Sequence, residues 1–516
     1  MRFWSGRTVD QDGGPGPRSL SEDIAAPSQK PKAAVQSRAD HRRTACGVDV
    51  DVKALKSLVV SGREVLPLVE GGKGIAVSNG ESSGAWAAAG AVGTFSGVNA
   101  DFYDEKGTLI PLVYHGKTRR ERHGELIAYA IRGGSAQARI AHDLSAGQGR
   151  VHMNVLWEMG GSEEILHGVL EGAKGLVHGV TCGAGMPYRV AEIAAGYGVF
   201  YYPIVSSARA FTALWKRAHH KFPQWLGGVV YEDPWLAGGH NGLSNSENPT
   251  EPQAPLPRVT ALRTAMRQAG VPEVPVIIAG GVWCLREWEE FLDNPDIGPV
   301  AFQFGTRPLL TRESPISEGW KQRLRTLKAG DVLLHRFSPT GFYSSAVKNR
   351  FIAELCERLD HQIPFTAEPV GEHTAEMEIG LRGRKVFVTP ADKVKAETWI
   401  AAGFSEPLRT PDSTLIFVAP DRAEAIRRDQ VECMGCLSAC NFSNWSQGEA
   451  GTTGKKADPR SFCIQKTLQN IAHDGDVETE LMFAGHIAHR FATDPFYRDG
   501  FVPTVRQLID RLMTGD

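Results

Sequence analysis

Residues 274–282 read VPVIIAGGV, and residues 300–310 read VAFQFGTRPLL. Each opens with a short apolar run, β-branched or aromatic, that stops at glycine, which is the pattern of a buried parallel strand. Working back from this pair, the same unit recurs at 65–69 (VLPLV), 91–95 (AVGTF), 151–157 (VHMNVLW), 175–180 (GLVHGV), 199–205 (VFYYPIV) and 227–231 (GGVVY). Helical patterns lie between them: ESSGAWAAAGA, SEEILHGVLEGA, PYRVAEIAAGYG, ARAFTALWKRAHHKF, RVTALRTAMRQAG and LREWEEFLDN. Alternation of strand and helix implies parallel pairing through right-handed crossovers. Eight units in about 250 residues predict an α/β protein, a closed (β/α)8 TIM barrel. The competing open doubly wound sheet lacks its mark, since no G-x-G-x-x-G opens a helix after the first strand.

The remaining bulk properties narrow the class. At 516 residues and 42% hydrophobic content, the chain buries a large core with room for an accessory region. Its net charge of -2 gives no electrostatic footprint for nucleic acid, so the expected partner is a small molecule. No run of about 20 apolar residues exists to span a membrane, and the expected location is the cytoplasm. Residues 1–50, rich in Pro, Ser, Gly and charge without an apolar stretch typical of secretion, are expected to form a disordered leader.

A barrel places its site at the carboxyl ends of its strands, with phosphate commonly bound after strands seven and eight. Strand seven runs into Gly280-Gly281, and strand eight ends in Gln303-Phe304-Gly305-Thr306-Arg307. Their bare amides and a threonine hydroxyl suit a phosphate. After strand six, residues 237–242 read AGGHNG, which sets His240 among glycines. A side chain that titrates near neutrality is thereby presented where the backbone can approach a flat ligand.

These loops resemble the nitronate monooxygenase family, formerly 2-nitropropane dioxygenases, which are FMN-containing barrels. The likeness is carried by GGHNG, AGGV and QFGTRPLL, together with LVEGGKGIAVSN, VTCGAGMP and RFSPTGFYSSAV. It covers roughly residues 65–347 and continues into the C-terminal region of longer bacterial members. Flavin-type enoyl-acyl carrier protein reductases look similar and share the glycine-flanked histidine. The resemblance implies an FMN-dependent oxidoreductase acting on nitronates or nitroalkanes with oxygen. His240 would be the catalytic base or a substrate-polarising group. Gly71, Gly72 and Gly74 would lie against the isoalloxazine ring, with Gly183 and Gly185 on its other side and Gly238 and Gly239 beside the histidine. Gly280, Gly281, Gly305 and Thr306, with Gln303 on the same strand end, would hold the cofactor phosphate. Asn154, two residues from His152, either meets the flavin's pyrimidine edge or is satisfied inside the barrel. Glu232 is a candidate to orient His240, with a solvent or capping role as its alternative. Lys73 and Asn241 depart from the family pattern, and Lys73 is expected to reach solvent.

After residue 347 the pattern changes. EMEIGLRGRKVFVTP, ADKVKAETWIAAGF and STLIFVAP suggest strand, helix, strand, a small α+β extension. Cys433, Cys436, Cys440 and Cys463 then follow, spaced C-x2-C-x3-C with 22 residues before the fourth. Such crowding favours metal over disulfide, and a three-cysteine run with one distant partner favours a 4Fe-4S cluster, with zinc as the alternative. The spacing resembles the cluster motif of flavin barrels like 2,4-dienoyl-CoA reductase and trimethylamine dehydrogenase. A cluster there implies a different activity, reduction of an enoyl thioester fed by an electron-transfer protein; the remaining alternative is a non-catalytic barrel subunit with the cysteine region as a docking module. The expected organisation is a leader at 1–50, the FMN-binding barrel at 51–347, the extension at 348–428 and the cysteine region at 429–516, with a homodimer as a possible assembly.

Overall fold

The structure is a computed structural model and describes residues 55–516, apart from 381, 447, 449, 450 and 474. The expected leader and Cys46 therefore lie outside the described residues. Eight strands close into a parallel barrel. They are β1 (Leu68–Glu70), β2 (Val92–Ser96), β3 (Arg150–Leu156), β4 (Gly179–Gly183), β5 (Phe200–Val205), β6 (Val229–Glu232), β7 (Val276–Ala279) and β8 (Val300–Phe304). β8 pairs with β1, and β5 with β6, so no edge is left open. Most strand residues are buried on both faces, which is why the runs read as continuously apolar.

The helices α1 (Gly80–Ala88), α2 (Arg119–Ser145), α3 (Ser162–Gly172), α4 (Val190–Gly196), α5 (Ala208–Arg217) and α6 (Pro255–Gln268) follow β1 to β6. α2 has 27 residues, begins with a Thr118–Glu121 capping box and is absent from the helical patterns of the sequence. After Leu126, Ile127 and Tyr129 its buried face turns to small and polar residues, including Ala130, Gly133, Gly134 and Ala138, so no continuous stripe of large apolar residues marks it. After β7, LREWEEF forms 3-10 turns kinked at Trp288 rather than an α-helix.

A hairpin of Leu58–Val60 and Arg63–Val65 plugs the amino end of the barrel. Val60 and Val65 join Val69, Tyr202, Val230 and Ile277 in the lumen cluster. At that end His152 is fully enclosed. Its Nε2 lies 3.0 Å from Ser61 Oγ, and its ring is 4.5 Å from that of Tyr202.

Beyond the barrel, the expected strand, helix, strand unit has three more strands. Ala375–Ile379 and Arg384–Val388 form a hairpin, and Gln362–Pro364, Thr414–Val418 and Glu406–Arg409 form an antiparallel sheet. The unit has an apolar cluster of its own around Ile363, Val386, Ala396 and Phe417. The chain then returns to the barrel mouth. Gly160 N donates to Cys436 O at 3.1 Å, Ser438 N to Glu158 O at 2.8 Å and Val347 N to Met482 O at 2.9 Å. Among the described residues, no helix is long and apolar enough to cross a membrane.

Candidate active site

One cavity opens at the carboxyl ends of the strands. It is lined by Gly71, Gly72 and Gly74 after β1, Asn154 on β3, Gly183 on β4, Gly238, Gly239 and His240 after β6, Gly280 and Gly281 after β7, and Gln303, Gly305 and Thr306 at β8. Residues up to 235 positions apart in the chain thus meet because each ends a strand of one barrel. Gly185 is not in this lining; its α-carbon faces Glu158, whose Oε1 would be 2.6 Å from an added Cβ. His152 is likewise elsewhere, in the closed end of the barrel, although it shares a strand with Asn154.

Two glycines are required by close approach. A Cβ at Gly72 would stand 2.3 Å from Asn154 Cγ, and one at Gly238 would stand 2.6 Å from the Ala484 carbonyl carbon. At Gly305, by contrast, a Cβ would meet nothing within 4 Å, so that turn faces open space. Thr306 Oγ1 accepts from Gly485 N at 2.9 Å, which leaves its own proton to donate.

His240 sits on a two-residue strand, Gly239–His240, that pairs antiparallel with Ser345 and Ser344. Its Nε2 is 2.6 Å from Ser338 Oγ, which in turn is 2.9 Å from Thr340 Oγ1. The Phe483 ring stands edge-on 5.3 Å away. Burial pushes the His240 pKa down to about 4, so the imidazole is neutral at pH 7. Glu232 does not orient it. That carboxyl is pushed up to about 8, first by burial and then by Asp233, while Ser338 occupies the histidine's partner position.

Lys73 does not reach solvent. Its ammonium is bound to Glu70, and the two side chains are 3% and 0% exposed. Glu70 also accepts from Ser82 Oγ at 2.6 Å and Thr94 N at 3.2 Å. The strand ends at Glu70 and the loop turns back over it, so a three-residue spacing closes the pair before the lysine stem can extend outward. That spacing was the available signal. Ser338 and Thr340 lie within the quoted RFSPTGFYSSAV stretch, where nothing in the letters marks them as partners of His240.

Residues 164–401, from α3 into the appended unit, match the family model described as nitronate monooxygenase. The match covers somewhat under half of the chain, and what it supports is an FMN-dependent oxidoreductase. Similar solved structures include FabK from Thermotoga maritima, at 14% identity and TM-score 0.45, with 90% of this chain and 93% of that chain covered. Another is a nitroalkane oxidase from Streptomyces ansochromogenes, at 18% identity and TM-score 0.39, with 56% and 78% covered. No curated protein sequence matches the chain.

The cysteine region forms part of the cavity wall. Cys436, Leu437, Ile464, Leu468, Phe483, Ala484 and Ile487 all line it. Cys433, Cys436 and Cys440 are buried, and Cys463 is half-buried. The Cys436 thiol is pushed well above its ordinary range by burial and then by Cys463, Cys440 and Cys433, so the four sulfurs are electrostatic neighbours. Ser443 Oγ donates to Cys433 Sγ at 3.0 Å. Among the described residues, no three His, Cys, Asp or Glu side chains converge on a point that one metal ion would fill. This arrangement shows neither a zinc nor a 4Fe-4S site.

Proposed function

We propose that the chain oxidises nitroalkanes or their nitronates at the barrel mouth, with oxygen as the final acceptor. The observation that supports this most is the His240 imidazole lining one cavity with the glycine turns after β1, β7 and β8. In this reading Gly280, Gly281, Gly305 and Thr306 hold the FMN phosphate through amides and a hydroxyl. Gly71, Gly72, Gly74, Gly183, Gly238 and Gly239 leave room for the ring, and Asn154 and Gln303 meet its polar edge. FMN, when bound, accepts the substrate's electrons and passes them to oxygen.

His240 handles the proton. Ser338 holds Nε2, which leaves the other ring nitrogen to accept the α-proton of a neutral nitroalkane. Toward a nitronate, the ring N–H instead donates to a nitro oxygen. His240→Asn is expected to retain FMN and to slow neutral nitroalkane turnover by on the order of a hundredfold. An unchanged rate removes His240 from the reaction.

In the same reading, residues 51–347 form the catalytic barrel, 348–428 the appended unit and 429–516 the cysteine region. Cys433, Cys436, Cys440 and Cys463 hold a 4Fe-4S cluster. Support comes from the C-x2-C-x3-C spacing with a distant fourth cysteine and from the mutual proximity of the four sulfurs. Iron and acid-labile sulfide should be found in protein purified without air and lost in Cys436→Ala; one zinc per chain overturns the assignment. The place of Cys436 in the cavity wall favours a second activity, reduction of an enoyl thioester with an electron-transfer protein as donor. Anaerobic turnover of such a thioester, with none of a nitroalkane, would establish it.

A further inference from the structure

Among the described residues, Lys73 is the one Lys or Arg side chain in the cavity lining. Its charge is matched by Glu70, and both are buried, so the pair sums to zero and neither partner is available to a ligand. Glu158 also lines the cavity, and its Oε2 lies 3.4 Å from the Ser438 hydroxyl, with no cationic partner among the described residues. An entering anion therefore meets no uncompensated cation and one carboxylate. Glu232 and His240, both in the lining, are held in their neutral forms by burial at pH 7. Apart from Cys436, the wall contributed by the C-terminal region is apolar: Leu437, Ile464, Leu468, Phe483 and Ile487.

We propose that the site selects the neutral, alkyl-chain form of its substrate, a protonated nitroalkane of several carbons, over nitronates and over carboxylate-bearing nitro compounds. This rests on the nitroalkane reading above. When a neutral nitroalkane enters, its α C–H bond breaks, the proton moves to the His240 ring and the electron pair passes onto the nitro oxygens. Imidazolium and nitronate together carry no net charge. A nitronate that enters preformed brings a net negative charge into a cavity lined, among the described residues, by no unpaired cation, and desolvation opposes this. The apolar wall adds affinity with chain length, by roughly three- to fourfold per buried methylene.

The test compares kcat/KM for 1-nitrobutane, its preformed nitronate and 3-nitropropionate on the FMN-loaded protein at pH 7, before the nitronate reprotonates. Calorimetric titration of pentanamide and pentanoate reads the same preference without turnover. The neutral member of each comparison is expected to win by about tenfold or more, because a buried unpaired charge is costly. Glu70→Gln, which frees the Lys73 ammonium, should raise pentanoate affinity about tenfold while changing pentanamide little. If that variant does not fold, Phe483→Lys puts a cation on the wall and should do the same. Wild-type protein that binds pentanoate as tightly as pentanamide, or that prefers the nitronate or 3-nitropropionate, overturns the proposal and leaves the nitroalkane reading standing. A preference for pentanamide with no nitro compound turned over sinks the nitroalkane reading instead, and keeps the selection for neutral ligands.

Discussion

His152 and His240 occupy opposite ends of one barrel, and burial makes both neutral, with pKa values pushed down to about 3 and about 4. What separates them is their company. His152 is packed by Tyr202 and bonded to Ser61, so its place is filled by the chain itself. His240 is flanked by glycines, one ring nitrogen is held by Ser338, and the ring faces a cavity. A neutral imidazole is thus a core residue at one rim and a reagent at the other. Access makes the difference; the shift in pKa does not.

The comparison breaks or sharpens on three measurements. The largest effect is the roughly hundredfold loss of nitroalkane kcat/KM already expected for His240→Asn, with its denaturant midpoint nearly unmoved. His152→Asn should do the reverse. It is expected to leave kcat/KM within about threefold while lowering unfolding free energy by about 2–3 kcal/mol in urea titration, because a buried hydrogen-bonded network loses a member. A strong activity loss in the second variant would show that the two rims are coupled. The smallest effect is in pH. Below its ordinary value of 6.5, His152 binds fewer protons folded than unfolded, so stability falls as pH drops from about 6.5 toward 3, and His152→Asn should flatten that slope. Turnover of a neutral nitroalkane should stay level from about pH 7, below the ionisation of Glu232, to about 5 and fall only as His240, and His335 beside it, begin to take up protons.

The barrel was legible because all eight of its strands are buried on both faces and stop at turns that the letters mark. The deviations have local causes. The run at 65–69 divides at Pro67: Val65 closes the plug hairpin, and β1 begins at Leu68. The fourth run shifts toward Gly179–Gly183 because Gly175, at φ +82°, belongs to the turn that precedes the strand. At the site, glycines and His240 could be read because a strand end fixes which way they face. The Glu70–Lys73 pair was misjudged, since a lysine's reach depends on where its loop folds. The wall from Leu437 to Ile487 left no trace, because each of its residues touches partners hundreds of positions away and follows no period.

That wall also divides the labour of the mouth: the strand ends supply the polar and glycine-lined side, and Leu437, Ile464, Leu468, Phe483 and Ile487 roof it with side chains the barrel itself does not own.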